Sequence, residues 1–181
     1  MTAIEGLQPG TWTIDPAHSE VAFVIRHLAI SKVRGAFERF EGTIQVGEQL
    51  EDTTVSATVD VASITTKQAQ RDEHLRNSDY FAADRYPQIA FVSKSVRVDD
   101  GGIVVLGDFT MRGVTKEVEL EVEFGGVTVD GFGNTKAGFE AETKISRKEF
   151  GVSGNAPTEA GGLALGDEVR ILIDGQAALQ A

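Results

Sequence analysis

Glu117-Val118-Glu119-Leu120-Glu121-Val122-Glu123-Phe124 sets acid against apolar side chain in strict alternation. Side chains alternate across a strand, whereas a helix would scatter this pattern around its circumference, so the stretch is a β-strand with one wet and one apolar face. Its four glutamates belong on a solvated outer face, where they discourage edge pairing and are not an acid/base dyad. The same period recurs in Val55, Ala57, Val59 and Val61, set against Ser56, Thr58 and Asp60. Noisier segments of this kind lie near 19–28, 34–46, 88–98, 102–111, 135–147 and 167–179. Gly- and Asp-rich turns such as Asp99-Asp-Gly-Gly102 and Asp130-Gly-Phe-Gly-Asn134 divide them.

About eight strands suit a closed barrel. The tight turn between 88–98 and 102–111 is that of a hairpin, and no helical pattern recurs between strands as parallel crossovers demand. The expected fold is therefore all-β, an eight-stranded antiparallel β-barrel. One stretch of good helix formers, 67–78, predicts a single short helix between strands 3 and 4, across an end or side of the barrel. The Gly-rich stretch 151–166 is expected to be a long loop, a lid or flap bordering a mouth.

The chain of 181 residues is expected to form one domain, 1–181, with a core that needs no metal or disulfide. Its formal net charge is −11, and it has no Lys/Arg cluster of the kind that grips a phosphate backbone, so nucleic acid is excluded as a partner. Anionic membrane surfaces are disfavoured by the same charge, although a small cationic pocket can survive within an acidic protein. The absence of Cys removes disulfides, thiolate nucleophiles and zinc ribbons. The N-terminal residues carry no basic and apolar leader, and no apolar run approaches a membrane span. A cytoplasmic protein without a stable membrane anchor is the expectation.

A barrel of this size either fills with side chains or keeps a cavity for one small apolar ligand. The face Ala137, Phe139, Ala141, Thr143, Ile145 mixes small and large groups. Phe23, Phe37, Phe40, Phe91, Phe109, Phe124 and Phe139 all fall on strand segments in a chain with two Tyr and one Trp. Such a lining suits a hydrocarbon ligand and equally a dry aromatic core. Both readings stand at this point.

The three histidines are His18, His27 and His74. His18 lies in a turn and reads as a surface residue; His27 closes a strand. Arg71 and His74 share one face of the predicted helix at i, i+3. A guanidinium fork beside an imidazole can hold a phosphate or diphosphate head or a quinone carbonyl. The alternative is that Arg71 pairs with Asp72 or Asp79 while His74 merely caps the barrel. No His-x-x-x-His or His-Glu-x-x-His spacing argues for a metal, and no Gly-x-Ser-x-Gly elbow or Cys supports a nucleophilic triad. No cofactor is required on this reading.

The ordered motifs add up to a resemblance. Trp12-Thr-Ile-Asp-Pro-Ala-His-Ser19, Val24-Ile-Arg-His-Leu28, Val33-Arg-Gly-Ala-Phe37 with Phe40-Glu-Gly42, and Arg71-Asp-Glu-His-Leu75 open the series. Asp79-Tyr-Phe81, Tyr86-Pro-Gln-Ile-Ala-Phe91, Gly107-Asp-Phe-Thr-Met-Arg-Gly-Val-Thr-Lys116, Ala137-Gly-Phe139 and Ile145-Ser-Arg-Lys-Glu-Phe-Gly151 continue it. From about residue 12 to residue 176 the chain resembles the YceI-like family of lipid- and polyisoprenoid-binding proteins. The resemblance implies an extended, lipocalin-like barrel whose apolar lumen holds a polyisoprenoid or other long-chain amphiphile, such as a prenylquinone or prenyl phosphate, for carriage or storage. It also implies a homodimer. Carried over residue by residue, it puts His27, Arg71 and His74 near the polar mouth and makes Phe23, Phe37, Phe40, Phe91 and Phe139 contacts of the bound chain. Many members of that family have a secretory leader, which this sequence does not show. Two other readings are an enzyme acting on an isoprenoid or acyl chain with His27 or His74 as general base, and a packed scaffold whose acidic surface binds a protein.

Overall fold

A computed structural model describes residues 4–154 and 165–181, so the loop expected at 151–166 lies largely outside the described residues. The strands are β1 (Gly10–Ile14), β2 (Glu20–His27), β3 (Ser31–Phe37), β4 (Phe40–Val46), β5 (Thr54–Asp60), β6 (Ile64–Thr65), β7 (Gln88–Asp99), β8 (Gly102–Met111), β9 (Val114–Val129), β10 (Thr135–Ser146) and β11 (Leu165–Leu179). The helix α1 (Ala69–Arg76) lies between β6 and β7. Every pairing is antiparallel.

Eleven segments make eight long strands, because the first three are each broken once. β1 and β2 run as one strand opposite β3 and β4, with Trp12 facing Ile44 and Val21 facing Phe37. β5 and β6 continue the same way, against β4 and β3 respectively. The three broken strands and β7 to β11 close a ring, since β11 pairs with β10 from Glu168 to Ala178, with β2 between Leu165 and Asp174 and with β1 from Ala177 to Leu179. These are the eight strands and single helix read from the sequence. The part unread there is β1, which the break hides from the strand beginning at Glu20.

The breaks have local causes. Pro16 has no N–H and holds its φ, so the extended ladder cannot pass through it. The Asp15 carboxylate accepts the Ala17 N–H at 3.0 Å and caps a single 3-10 turn there. Asp60 repeats the device, accepting the Ala62 N–H at 3.1 Å. This break in the third long strand locks to the break in the second, with the Glu38 N–H donating to the Ser63 carbonyl and the Asp60 N–H to the Arg39 carbonyl.

Asp15 also receives the Lys136 ammonium from β10, and its Oδ2 lies 2.9 Å from His18 Nδ1. Lys136 first and His18 second hold this carboxyl at a pKa of about 2, below its ordinary 3.8. The folded state thus favours the ionised form. Its contribution is complete above about pH 4 and is lost as pH falls from there through about 2. Asp15→Asn is expected to cost about 1–2 kcal/mol at neutral pH and to flatten the acid limb of the stability profile. Urea midpoints measured from pH 7 to pH 2 check both; an unaltered acid limb would remove Asp15 from its cause.

Inward residues of neighbouring strands fit by size. Phe23 faces Gly35, and Phe139 faces Gly175. A β-carbon on Gly35 would lie 2.2 Å from the Phe23 ring, so the glycine is what lets that ring lie across the neighbouring strand. At one end of the barrel Trp12 is fully buried with Val46, Ala137 and Ala177, and its indole N–H donates to the Gln8 carbonyl at 2.9 Å. On the outer wall, Glu117 and Glu119 are exposed and pair with Lys94 and Arg97.

Candidate functional site

The barrel encloses a cavity of about 530 Å³, within the range of ~300–1,000 Å³ common for sites that hold one small molecule. This decides between the two readings of the interior in favour of a lumen. The inward row of β10, Ala137, Phe139, Ala141, Thr143 and Ile145, lines it from end to end. Strand β9 contributes the apolar half of its alternation, Leu120, Val122 and Phe124, so the pattern that betrays the strand also makes the wall.

All eight residues expected at a ligand site border this one cavity. Phe37 and Phe91 are buried, while Phe23, Phe40 and Phe139 are partly accessible. The Phe23 and Phe37 rings lie 5.7 Å apart, and Phe37 meets Phe81 edge-on at 6.1 Å. Tyr80 and Phe81, in the loop after α1, were not singled out as contacts, yet both border the lumen. Their signal in the sequence is the apolar pair that follows the helix.

The basic side chains of the lining gather at the end opposite Trp12. His27 ends the inward row Val21, Phe23, Ile25 and faces the cavity. The register carries α1 to the same end, for Thr65 lies opposite Ala36 and the chain then runs toward the beginning of β3. The helix has a single large apolar residue, Leu75, so burial alone does not hold it. Polar anchors do: the Gln68 side chain accepts the Arg71 N–H at 2.6 Å, and buried Asp72 accepts both the N–H and the hydroxyl of Thr66.

Arg71 pairs with neither Asp72 nor Asp79, one of the alternatives left by the sequence. Its Nε donates to the Thr66 hydroxyl at 2.7 Å and one Nη to the Thr66 carbonyl at 2.9 Å. These bonds fix the guanidinium plane, and among the described residues the other Nη has no hydrogen-bond partner and can meet a ligand. His74 is held separately, its Nε2 3.1 Å from the Asp79 carboxylate and its ring edge-on to Tyr80 at 5.1 Å. The two side chains therefore border one cavity without touching each other's partners, and together with His27 they bring one permanent cation and two imidazoles to the mouth.

Arg147, which the sequence reading passed over, is buried at this end and also borders the lumen. Its Nε donates to the Gly166 carbonyl at 2.7 Å, and Nη1 to the carbonyls of Val152 and Gly154 at 2.7 and 2.9 Å. Burial lowers its pKa from the ordinary value, opposed by Tyr80 and Asp167. Phe150 closes in nearby, edge-on to Phe109 at 5.3 Å. No group of three or more metal-ligating side chains, and no helix long and apolar enough to cross a membrane, occurs among the described residues.

Residues 12–177 match the family model of the YceI-like domain. A UPF0312 protein of Staphylococcus aureus (strain USA300) is 37% identical over 162 residues, which are 88% of this chain and 92% of that protein. The crystal structure of a Campylobacter jejuni YCEI protein is 30% identical and superposes with a TM-score of 0.73 over 87% of this chain and 91% of that one. A polyisoprenoid binding domain from Saccharophagus degradans, 14% identical, shares the fold with a TM-score of 0.70 over 96% of this chain and all of that one.

Proposed function

Because the chain belongs to the YceI-like family, we propose that it binds one long-chain amphiphile, a polyisoprenoid or comparable lipid, with the tail in the lumen and the head among Arg71, His74 and His27. The observation that carries this reading is the apolar cavity of about 530 Å³ with its basic side chains gathered at one end. The polyisoprenoid binding domain of Saccharophagus degradans, which has the same fold, supports the ligand class.

Transfer from water contributes about 0.8 kcal/mol per buried CH₂, so even a modest prenyl tail gains far more than it needs to bind. The tail does not choose between ligands, however, because a bilayer is as apolar as the lumen. Discrimination falls to shape and to the head group. Arg71 offers its free donors to a phosphate as charge-assisted bonds, whereas a quinone carbonyl gains only neutral-strength ones. The role is carriage or storage; consumption of the lipid on incubation would overturn it in favour of an enzyme.

The test is organic extraction of never-denatured protein followed by mass spectrometry, with an unrelated acidic protein as control. One prenyl or acyl lipid per chain is expected. An empty extract, together with no uptake of added prenylquinone, would sink the proposal. Arg71→Ala is then expected to weaken a prenyl phosphate about 10–100-fold, the worth of a hydrogen bond to a charged group, and to spare a neutral prenylquinone. Equal loss for both would make Arg71 a structural residue that holds Thr66.

A further inference from the structure

The turn between β2 and β3 is built against the rules for its own stability. The Ile30 N–H donates to the His27 carbonyl at 3.2 Å, closing a four-residue turn whose central residues, Leu28 and Ala29, both have positive φ, 53° and 59°. This is the φ signature of a type I′ hairpin turn, for which Asn-Gly is the favoured pair and for which β-carbons are strained. Here the turn carries apolar side chains and shows them to water: Ile30 is 83% exposed and Leu28 41%. Folding alone gains nothing from either choice.

Charge gathers beside this tip. In a chain of net charge −11, the stretch Arg26-His-Leu-Ala-Ile-Ser-Lys-Val-Arg34 contains three permanent cations and no acid. Arg26 and Lys32 lie directly opposite one another on adjacent strands, both exposed. Like charges so placed repel, and neither has an ion-pair partner among the described residues, whereas Arg34 is paired with Glu20 at 3.4 Å. An apolar tip with an uncompensated basic collar stands next to His27, at the mouth of the lumen.

We infer that the β2–β3 turn is a docking tip for an anionic lipid bilayer: Leu28 and Ile30 enter the interface, Arg26 and Lys32 meet the lipid phosphates, and the mouth is brought to the headgroup layer. The charge pattern selects this occupant, because an unpaired basic patch in a chain of net charge −11 suits an anionic surface, and a second copy would bring cations against cations at a symmetric contact. The other exposed apolar tip serves as a contrast. Phe132, 93% exposed at the opposite end of the barrel, sits in Asp130-Gly-Phe-Gly-Asn134, where the flanking charge is acidic.

The experiment is co-sedimentation with vesicles of phosphatidylcholine, with and without phosphatidylglycerol, at low and high salt. Wild-type protein is expected on the phosphatidylglycerol vesicles at low salt, and at least tenfold less on phosphatidylcholine alone. Leu28→Asn/Ala29→Gly/Ile30→Ser suits the turn better than the native residues, so it should fold at least as stably and lose at least tenfold in binding. Arg26→Gln/Lys32→Gln should remove the preference for phosphatidylglycerol, and Phe132→Ser should bind as wild type. Wild-type protein on neither vesicle, or undiminished binding of the turn variant, overturns the inference. So does a turn variant that converts a dimer to a monomer without any vesicle binding having been present, which would make the tip a contact between copies. Uptake of prenylquinone from a cyclodextrin carrier, measured on the same proteins, reports the lumen alone. Vesicle binding without uptake would refute the proposed function and leave the docking tip standing.

Discussion

Arg147→Met is expected to lower the free energy of unfolding by about 3–5 kcal/mol, because three backbone carbonyls lose their donor at about 1–3 kcal/mol each, part of which the apolar replacement recovers. The guanidinium is only 3% exposed, and no carboxylate among the described residues salt-bridges it. Carbonyl dipoles hold it instead, from Val152, Gly154 and Gly166, with Leu165 at a longer 3.4 Å. Methionine fills much of the volume but donates nothing, so these acceptors lose their partners in a site with little room for water. The bonds join residues 152–154 to 165–166, so the damage falls on the mouth end of the barrel. Lysine keeps the charge but not the planar fork that reaches three directions, and should recover less than half of the loss. Denaturant midpoints read both variants, and a loss below about 1 kcal/mol for methionine would show that water replaces the guanidinium without strain.

Ala141→Phe should abolish lipid uptake, by more than tenfold, at almost no cost in stability. Ala141 sits midway along the inward row of β10, between Phe139 and Thr143, and opposite Val122 and Ile173 on the flanking strands. A phenyl group there would stand across the lumen. In a packed interior the same substitution would overfill the core at about 1–3 kcal/mol. The pair of readouts therefore separates a cavity from a core. Lost uptake with a Tm within about 3 °C of wild type is the expected combination, and a marked drop in Tm with uptake retained is the one that contradicts it.

The sequence shows the barrel so clearly because inward and outward residues alternate with little interruption, as between Val118 and Phe124. It hides β1, although Trp12 and Ile14 alternate with Thr11 and Thr13, because Asp15 and Pro16 end the run before its period establishes itself. The lumen phenylalanines are legible for the same reason as the strands. What Arg71 does with its donors is not, since the partner Thr66 becomes one only through the left-handed turn at Lys67, where φ is 63°. Arg147 is invisible for a more general reason. Its acceptors are backbone carbonyls, which every residue has, so no side-chain pattern marks them. The pairings of Phe23 with Gly35 and Phe139 with Gly175 likewise need the register, which lies between strands rather than along them. The charge of the whole chain argues against an anionic surface as a partner, yet nine consecutive residues around Leu28 run the other way, and only the exposed turn gives that reversal a place to act.

The closure of the ring by β11 has a consequence in time. β11 is the partner of β1 and β2, yet more than a hundred residues separate it from them. At the roughly 5–20 residues per second of protein synthesis, the first strands wait several seconds or longer for the strand that seals them. Through that interval the inner faces of β2 and β3, with Phe23 and Phe37, have no closed lumen to turn toward. The nascent chain is thus at its stickiest just before it becomes a container. A chaperone that shields those faces would raise the yield of folded barrel most, and a chain arrested before residue 165 should aggregate rather than bind.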